Sequence, residues 1–168
     1  MPVLRDLNEF EVAADTYHVS PEPLLLTADL CGALALCIHD ERRRVGGLLH
    51  LRFGGVDGRP SDVSDNSLNR VLVVLDRFKR AVLGNAPRPD EVQARIVAQA
   101  LPPVDAGEPS ATLVDLIRAD LACGRLTCGA RTLRRIESVR LCFEPCAGRI
   151  WLSGADDLSA ASSRRHRL

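Results

Sequence analysis

Two of the six cysteines and two of the four histidines lie within residues 24–53, LLLTADLCGALALCIHDERRRVGGLLHLRF. A cysteine beside a histidine can carry out acyl transfer, in which the thiolate attacks a carbonyl carbon and the imidazole moves the protons. The residues in question are Cys31, Cys37, His39 and His50. Whether they do this chemistry depends on which thiol the fold brings within reach of an imidazole.

Apolar runs on both sides of the charged stretch DERRR predict an antiparallel hairpin of residues 33–38 and 45–50. A turn centred on residues 41–42 places position 33 directly opposite His50. Directly opposed side chains lie about 5 Å apart at Cβ, so a thiol at position 33 could pass its proton to the imidazole. Position 33, however, is an alanine.

In the same register Cys31 lies diagonal to His50, about 7–8 Å away. A β-bulge would bring Cys31 closer to the imidazole. Cys37 pairs with Gly46 and is predicted to lie far from His50. His39 is expected to be an exposed residue of the turn.

The remaining cysteines do not have the spacing of a metal site. Cys123 and Cys128 are five residues apart, Cys142 and Cys146 are four apart, and no histidine pair stands near them. Zinc sites are typically built from CxxC pairs or from cysteine and histidine pairs. We therefore expect structural thiols and predict neither a metal nor another cofactor.

Composition and charge narrow the class of protein. The chain has 168 residues, of which 46% are hydrophobic, 26% charged and 4% aromatic, and the net charge is zero. This favours one globular domain and gives no reason to expect nucleic-acid binding or membrane insertion. No apolar run is long enough to span a membrane, and the acidic start MPVLRDLNEFEVAAD does not resemble a signal peptide. A cytoplasmic location with reduced thiols is expected.

The order of apolar patterns, β–β–α–β–α–β–β, predicts a mixed α/β domain with β-hairpins and two main helices over residues 1–154. Residues 155–168 lack apolar periodicity and are expected to be a disordered tail. The predicted elements are buried strands within 24–38 and 45–53, a helix from Ser64 or Asp65 to Gly84, a strand or short helix at 92–101, a helix capped by Ser110 and ending near Gly124, and a closing hairpin of 131–145 with 148–154.

The stretch containing Cys31 and His50 resembles a motif of CheD, the family of bacterial chemoreceptor glutamine deamidases. That motif is of the type T-x-x-L-G-S-C-V-A-V-C-x-x-D, followed by a basic turn and G-G-x-x-H. Thr27 and His50 fall on the threonine and histidine of the motif without a gap, but its cysteine falls on Ala33. Cys31 falls on the glycine and Gly32 on the serine. The alignment agrees with the hairpin register predicted above.

Weaker likenesses extend along the rest of the chain. TYHVSPEP is similar to the lead-in strand of the family, the helix from Asp65 to its first long helix, and RRIESVRLCFEPCAGRIWL to its closing hairpin. ARIVAQA, residues 94–100, stands where the family usually has AKIFGGA, so the two glycines are lost. The helix-opening IGxxN is not evident before LVDLIRADL.

The resemblance implies a CheD-like, cysteine-hydrolase-type fold and a Cys–His–Thr mechanism. In that mechanism a thiolate attacks a glutamine side-chain amide, His50 handles the protons, Thr27 orients the imidazole and backbone N–H groups hold the oxyanion. Alanine cannot supply the nucleophile. The sequence therefore predicts a degenerate CheD-like protein that binds chemoreceptors or a CheC-type phosphatase without hydrolysing amides. The alternatives are a working deamidase that uses Cys31 with His50 and Thr27, and a structural relic.

Overall fold

The computed structural model of the chain describes residues 7–53, 65–85, 87–100, 109–134, 138–154 and 166–167. These ranges contain ten strands, two α-helices and a short 3-10 helix at Pro89–Glu91. The strands are β1 (Glu9–Glu11), β2 (Thr16–Ser20), β3 (Leu25–Leu30), β4 (Ala33–Asp40), β5 (Val45–Arg52), β6 (Val92–Ala100), β7 (Cys128–Arg134), β8 (Val139–Glu144), β9 (Arg149–Gly154) and β10 (His166–Arg167), and the helices are α1 (Asp65–Leu83) and α2 (Pro109–Cys123).

The strands form two five-stranded sheets. The central sheet has the order β2-β5-β4-β6-β7, and the outer sheet has the order β1-β3-β8-β9-β10. The pairs β6–β7 and β1–β3 are parallel, and all the other described pairs are antiparallel. The predicted mixed α/β class with hairpins and two main helices is confirmed.

The central sheet lies between the helices and the outer sheet, so β4 is covered on both faces. Its residues Leu34, Leu36 and Ile38 pack in a cluster with side chains of α1 and α2. Ala33 and Ala35, on the opposite face, belong to a second cluster that the central sheet shares with the outer sheet. This burial on both faces explains why the strand is an unbroken apolar run rather than an alternating one.

The two predicted helices are confirmed, and one of their ends differs from the prediction. Helix α1 covers Asp65–Leu83, and Gly84 follows it with a left-handed φ of 64°. Glycine adopts this conformation without strain, which is why it commonly terminates helices. Helix α2 begins at Pro109. Ser110 therefore lies inside the helix rather than at its N-cap. The helix can begin at Pro109 because proline is well tolerated in the first turn.

The predicted register of the β4–β5 hairpin was wrong by two residues. Ala33 pairs with Arg52, and it is Ala35 that pairs with His50. The turn spans residues 41–44 instead of 41–42, because the closing pair is Asp40 with Val45. The Arg43 N–H donates to Asp40 Oδ1 at 3.0 Å inside this turn.

The longer turn also changes the surroundings of His39. This residue belongs to β4 and is buried, whereas an exposed turn position was predicted. Its Nδ1 is hydrogen-bonded to the Pro145 carbonyl oxygen at 2.7 Å. His39 therefore ties the central sheet to the turn between β8 and β9 in the outer sheet.

Strand β1 and the division of the final β region were not predicted, whereas β2 lies within TYHVSPEP, the segment that is similar to the lead-in strand of the CheD family. β1 joins the outer sheet and β2 joins the central sheet, so residues 9–20 contribute an edge to each. β7 and β8, predicted as one strand region, lie in different sheets. Of the predicted tail, residues 155–165 and 168 lie outside the described residues, and His166–Arg167 pair with β9. No helix in the described part of the chain combines the length and apolarity needed to cross a membrane.

Candidate functional site

His50 lies between the two sheets. It is 6% exposed, and on its face of β5 it follows Leu48, which packs against the outer sheet. Its Nδ1 lies 3.0 Å from the carbonyl oxygen of Val12. A carbonyl can only accept, so this bond assigns the proton to Nδ1 and leaves Nε2 as an acceptor in the neutral ring. That tautomer is the one in which Nε2 can take a proton from a nucleophile.

Val12 is the residue that orients this imidazole, and the sequence analysis missed it. Its carbonyl binds His50 in the central sheet, and its N–H donates to the Thr27 carbonyl oxygen in the outer sheet at 2.8 Å. The connection between β1 and β2 therefore bridges the two sheets at the site. A backbone carbonyl leaves no residue-type signal, so the sequence could not have indicated this role.

His50 Nε2 is buried, and it has no hydrogen-bond partner among the described residues. A buried polar atom without a partner is uncommon, and in native proteins it often marks a functional position. In particular, no cysteine within the described residues is hydrogen-bonded to Nε2.

Thr27 is fully buried in β3, but its side chain lies on the other face of the outer sheet. Its neighbours Leu26 and Ala28 pack between the sheets, and side chains alternate along a strand. The Thr27 hydroxyl accepts from an Arg140 guanidinium N–H at 3.3 Å. The structure therefore does not bring this hydroxyl to His50, and Thr27 supports the imidazole through its backbone carbonyl and Val12.

Position 33 is where the family motif has its cysteine. Ala33 is 1% exposed and shares the face of Ala35, which lies directly opposite His50. Ala33 is thus a diagonal neighbour of His50, at a separation that long side chains can cross. A methyl group at this position can neither attack a carbonyl nor satisfy the imidazole.

Cys31 lies in the two-residue connection between β3 and β4, where its side chain is exposed. It is four residues before Ala35, the residue that faces His50. In extended chain four residues span up to about 13 Å. The structure does not place the Cys31 thiol on the buried Nε2, and no bulge brings it into the ladder of β4 with β5.

Cys37 is closer to His50 in the sheet than predicted. It pairs with Leu48 rather than Gly46, which makes it the other diagonal neighbour of His50. Burial raises the pKa of the Cys37 thiol far above its ordinary value, while the nearby Arg95 lowers it only in part. A thiol held protonated in this way is a poor nucleophile.

The backbone before Ala33 carries a feature of its own. Gly32 has a left-handed φ of 57°, and its N–H donates to the side-chain oxygen of Gln99 at 2.6 Å. Gln99 lies on β6, pairs with Ala33 and is 0% exposed. An N–H beside the nucleophile is the type of donor that holds an oxyanion in acyl transfer. Here a side-chain amide of the same chain already occupies it.

Other parts of the described structure do not extend this site. Among the described residues no three His, Cys, Asp or Glu side chains come together as metal ligands. A surface groove of about 400 Å³ runs along β6 and β7, lined in part by Gln93, Arg95 and Arg131. His50, Ala33 and Gln99 do not line this groove, so its size alone does not make it the functional site.

Comparison with known proteins leaves the family open. No family model matches the sequence, and no curated protein matches it either. The hypothetical protein YfiH of Bacillus licheniformis is similar in structure, with a TM-score of 0.45 and 13% sequence identity. The matched region covers 71% of this chain and 51% of that one, so the chain spans about half the length of YfiH.

Proposed function

We propose that the chain is a CheD-like binding protein that has lost amide hydrolysis. It would bind the cytoplasmic part of a chemoreceptor or a CheC-type phosphatase. The observation that carries the loss of hydrolysis is Ala33, which stands at the nucleophile position beside a buried His50 whose Nε2 has no partner among the described residues. The family assignment itself rests on the spacing of Thr27, Asp40, the two glycines 46–47 and His50.

The Nδ1–H tautomer of His50, held by Val12, is suited to accept a proton from a thiol. With alanine at position 33 the imidazole has no thiol to activate. Removing the nucleophile of such a unit removes most of its rate enhancement, since the members of the unit act together.

A working deamidase that uses Cys31 is the competing hypothesis. It needs the Cys31 thiol within hydrogen-bond reach of the imidazole, directly or through one water molecule. The thiol is exposed and Nε2 is buried and unpartnered among the described residues, which argues against it. Catalysis by Cys31 would require the connection between β3 and β4 to rearrange.

The test combines binding and chemistry on one substrate. A glutamine-bearing cytoplasmic fragment of a chemoreceptor from the same source is incubated with the protein, and its peptides are analysed by tandem mass spectrometry. Binding of the same fragment is measured by isothermal titration calorimetry. The proposal expects binding without conversion of glutamine to glutamate.

Two substitutions make the result specific. Cys31→Ser removes the competing nucleophile, and Cys123→Ser is a matched change at another exposed cysteine. Conversion that only Cys31→Ser abolishes would contradict the loss of hydrolysis. Absence of binding to both the fragment and a CheC-type phosphatase would contradict the binding role.

A further inference from the structure

Gln99 is a fully buried primary amide on the same face of the central sheet as Ala33. Its neighbour Val97 on β6 packs between the sheets, and alternate residues of a strand share a face. Ala33 and Gln99 are directly paired across β4 and β6, so their Cβ atoms lie about 5 Å apart. The side chain of Gln99 therefore lies directly beside any side chain that stands at position 33.

The Gln99 amide is held by a specific bond. Its oxygen accepts the Gly32 N–H at 2.6 Å. The left-handed backbone at Gly32, with φ at 57°, directs this N–H, and the Gly32 carbonyl is occupied separately by the Phe53 N–H at 2.9 Å. A carboxamide therefore sits on the backbone donor that immediately precedes the nucleophile position.

The imidazole gives an independent indication that the space beside Ala33 is a site. His50 Nε2 is an acceptor, buried and without a partner among the described residues, and it lies on the same face as Ala33 and Gln99. The Gly32 N–H adjoins Ala33 along the chain, and the imidazole of His50 is a diagonal neighbour of Ala33 across β4 and β5. In the sequence alignment above, Gln99 also replaces the second glycine of the GGA pattern, so the amide side chain is added where the family has none.

We propose that the Gly32 N–H and the space beside Ala33 form a subsite for a primary carboxamide, and that Gln99 of the same chain occupies it. The inference rests on the proposed function, since it treats the site as derived from an amide hydrolase. Two features then prevent amide hydrolysis: the nucleophile is missing at Ala33, and the side chain of Gln99 occupies the carboxamide subsite. Restoring a thiol at position 33 alone would leave the subsite occupied.

The experiment measures how fast a thiol introduced at position 33 reacts with two small reagents. Iodoacetamide carries a primary carboxamide, and methyl methanethiosulfonate is of similar size without one. Both are applied to the full chain carrying C31S/A33C, C31S/A33C/Q99A or C31S/A33C/Q99M. Tandem mass spectrometry locates modification at position 33, and the exposed Cys123 in the same sample normalises the rates.

Removing the Gln99 side chain is expected to make the subsite accessible to a carboxamide reagent in particular. The C31S/A33C chain reacts slowly, and adding Q99A accelerates iodoacetamide by about tenfold more than methyl methanethiosulfonate, the effect of roughly one hydrogen bond. Adding Q99M, which keeps the bulk without the amide, leaves both rates slow. If Q99A accelerates both reagents equally, Gly32 does not select a carboxamide. If Q99A accelerates neither reagent, Gln99 does not fill the subsite. Either outcome overturns the proposal.

A second measurement covers the case in which the alanine variant does not fold. The amide proton of Gly32 is followed by NMR in the native chain and in the Q99M variant. Loss of the bond from Gln99 should move this resonance upfield and speed its exchange with solvent, and an unchanged resonance would overturn the proposal. Neither measurement uses a receptor, so failure of the subsite and failure of the proposed binding function are separate results.

Discussion

Replacing Gly46 with alanine should destabilise the protein more than the same change at either of two other strand glycines. A Cβ atom at Gly46 would lie 2.5 Å from the Pro145 carbonyl oxygen, 2.9 Å from Pro145 Cα and 3.0 Å from the Ile38 carbonyl oxygen. All three are backbone atoms, so no rotamer change relieves the contact. The turn that contains Pro145 in the outer sheet would have to move away from β5, and β4 would have to shift at Ile38.

The magnitude follows from how far the neighbours must move. Comfortable separations between nonbonded carbons are about 3.5–4.0 Å, so relief needs a backbone shift of roughly 1 Å. Overpacking in a core typically costs about 1–3 kcal/mol and occasionally more. We expect a loss of about 3 kcal/mol for Gly46→Ala. Gly47→Ala should cost about 1–2 kcal/mol, because its Cβ would meet side-chain atoms of Val19, Phe78 and Val82 that can adjust in part.

The assay is urea unfolding followed by circular dichroism and by fluorescence of Trp151, the single tryptophan. Gly129→Ala is the matched control, since a Cβ at this β7 position meets nothing within 4 Å. That control should be neutral or stabilising by up to about 1 kcal/mol, through the reduced entropy of the unfolded chain. A Gly46→Ala protein within about 0.5 kcal/mol of the control would refute the close approach of the two sheets at Gly46.

Three further predictions test the surroundings of His50. Thr27→Val should cost about 1 kcal/mol or less, from the bond to Arg140, and leave the imidazole ¹⁵N shifts of His50 unchanged; a shifted imidazole would contradict the backbone route through Val12. In the native chain DTNB should modify Cys31 at pH 8 and not Cys37, and rapid modification of Cys37 would contradict its burial. Burial raises the pKa of the Cys37 thiol, so above about pH 9 this thiol ionises only in the unfolded chain. The native chain should therefore lose about 1.4 kcal/mol of unfolding free energy per pH unit above pH 9, relative to Cys37→Ala. Parallel stability curves of these two proteins between pH 9 and 11 would contradict the raised pKa.

The hydrophobic pattern of the sequence predicts those elements of the layered fold whose burial sets their residue types. The continuous apolar run of β4 indicates a strand buried on both faces, and the 3–4 spacing from Leu68 to Val82 indicates helix α1. The register of the hairpin was not accessible in the same way. Its turn contains no glycine or asparagine, and Arg44 adopts a left-handed φ of 54°, so residue type did not mark where the turn begins and ends.

The candidate site was predictable only in part. His50 and Ala33 were identified from the motif spacing, and both lie on the face between the sheets. The role of Val12 depends on a main-chain carbonyl that any residue could provide. Thr27 fits the motif, yet its side chain lies on the other face of the outer sheet. A pattern of residue types does not specify which face of a distant strand will pack against the central sheet.

The role of Gln99 could not be predicted from the sequence pattern, because it depends on the backbone group that the amide contacts. Gln99 stands where the second glycine of GGA is lost, and the loss of both glycines favoured a binding protein over an enzyme without indicating what the glutamine side chain does. In the structure the amide lies on the Gly32 N–H beside Ala33. Buried polar groups need specific partners, so such a residue becomes interpretable only when its partner is known.

The most direct test of the proposed function is whether the native protein binds a chemoreceptor fragment without converting its glutamines to glutamate. If the proposal holds, the fragment binds, and its tandem mass spectra show no conversion above that of the fragment alone, because Ala33 stands where the CheD motif has its cysteine. Conversion that is abolished by both Cys31→Ser and His50→Gln, and retained by Cys123→Ser, would contradict it. That result would establish Cys31 as a relocated nucleophile.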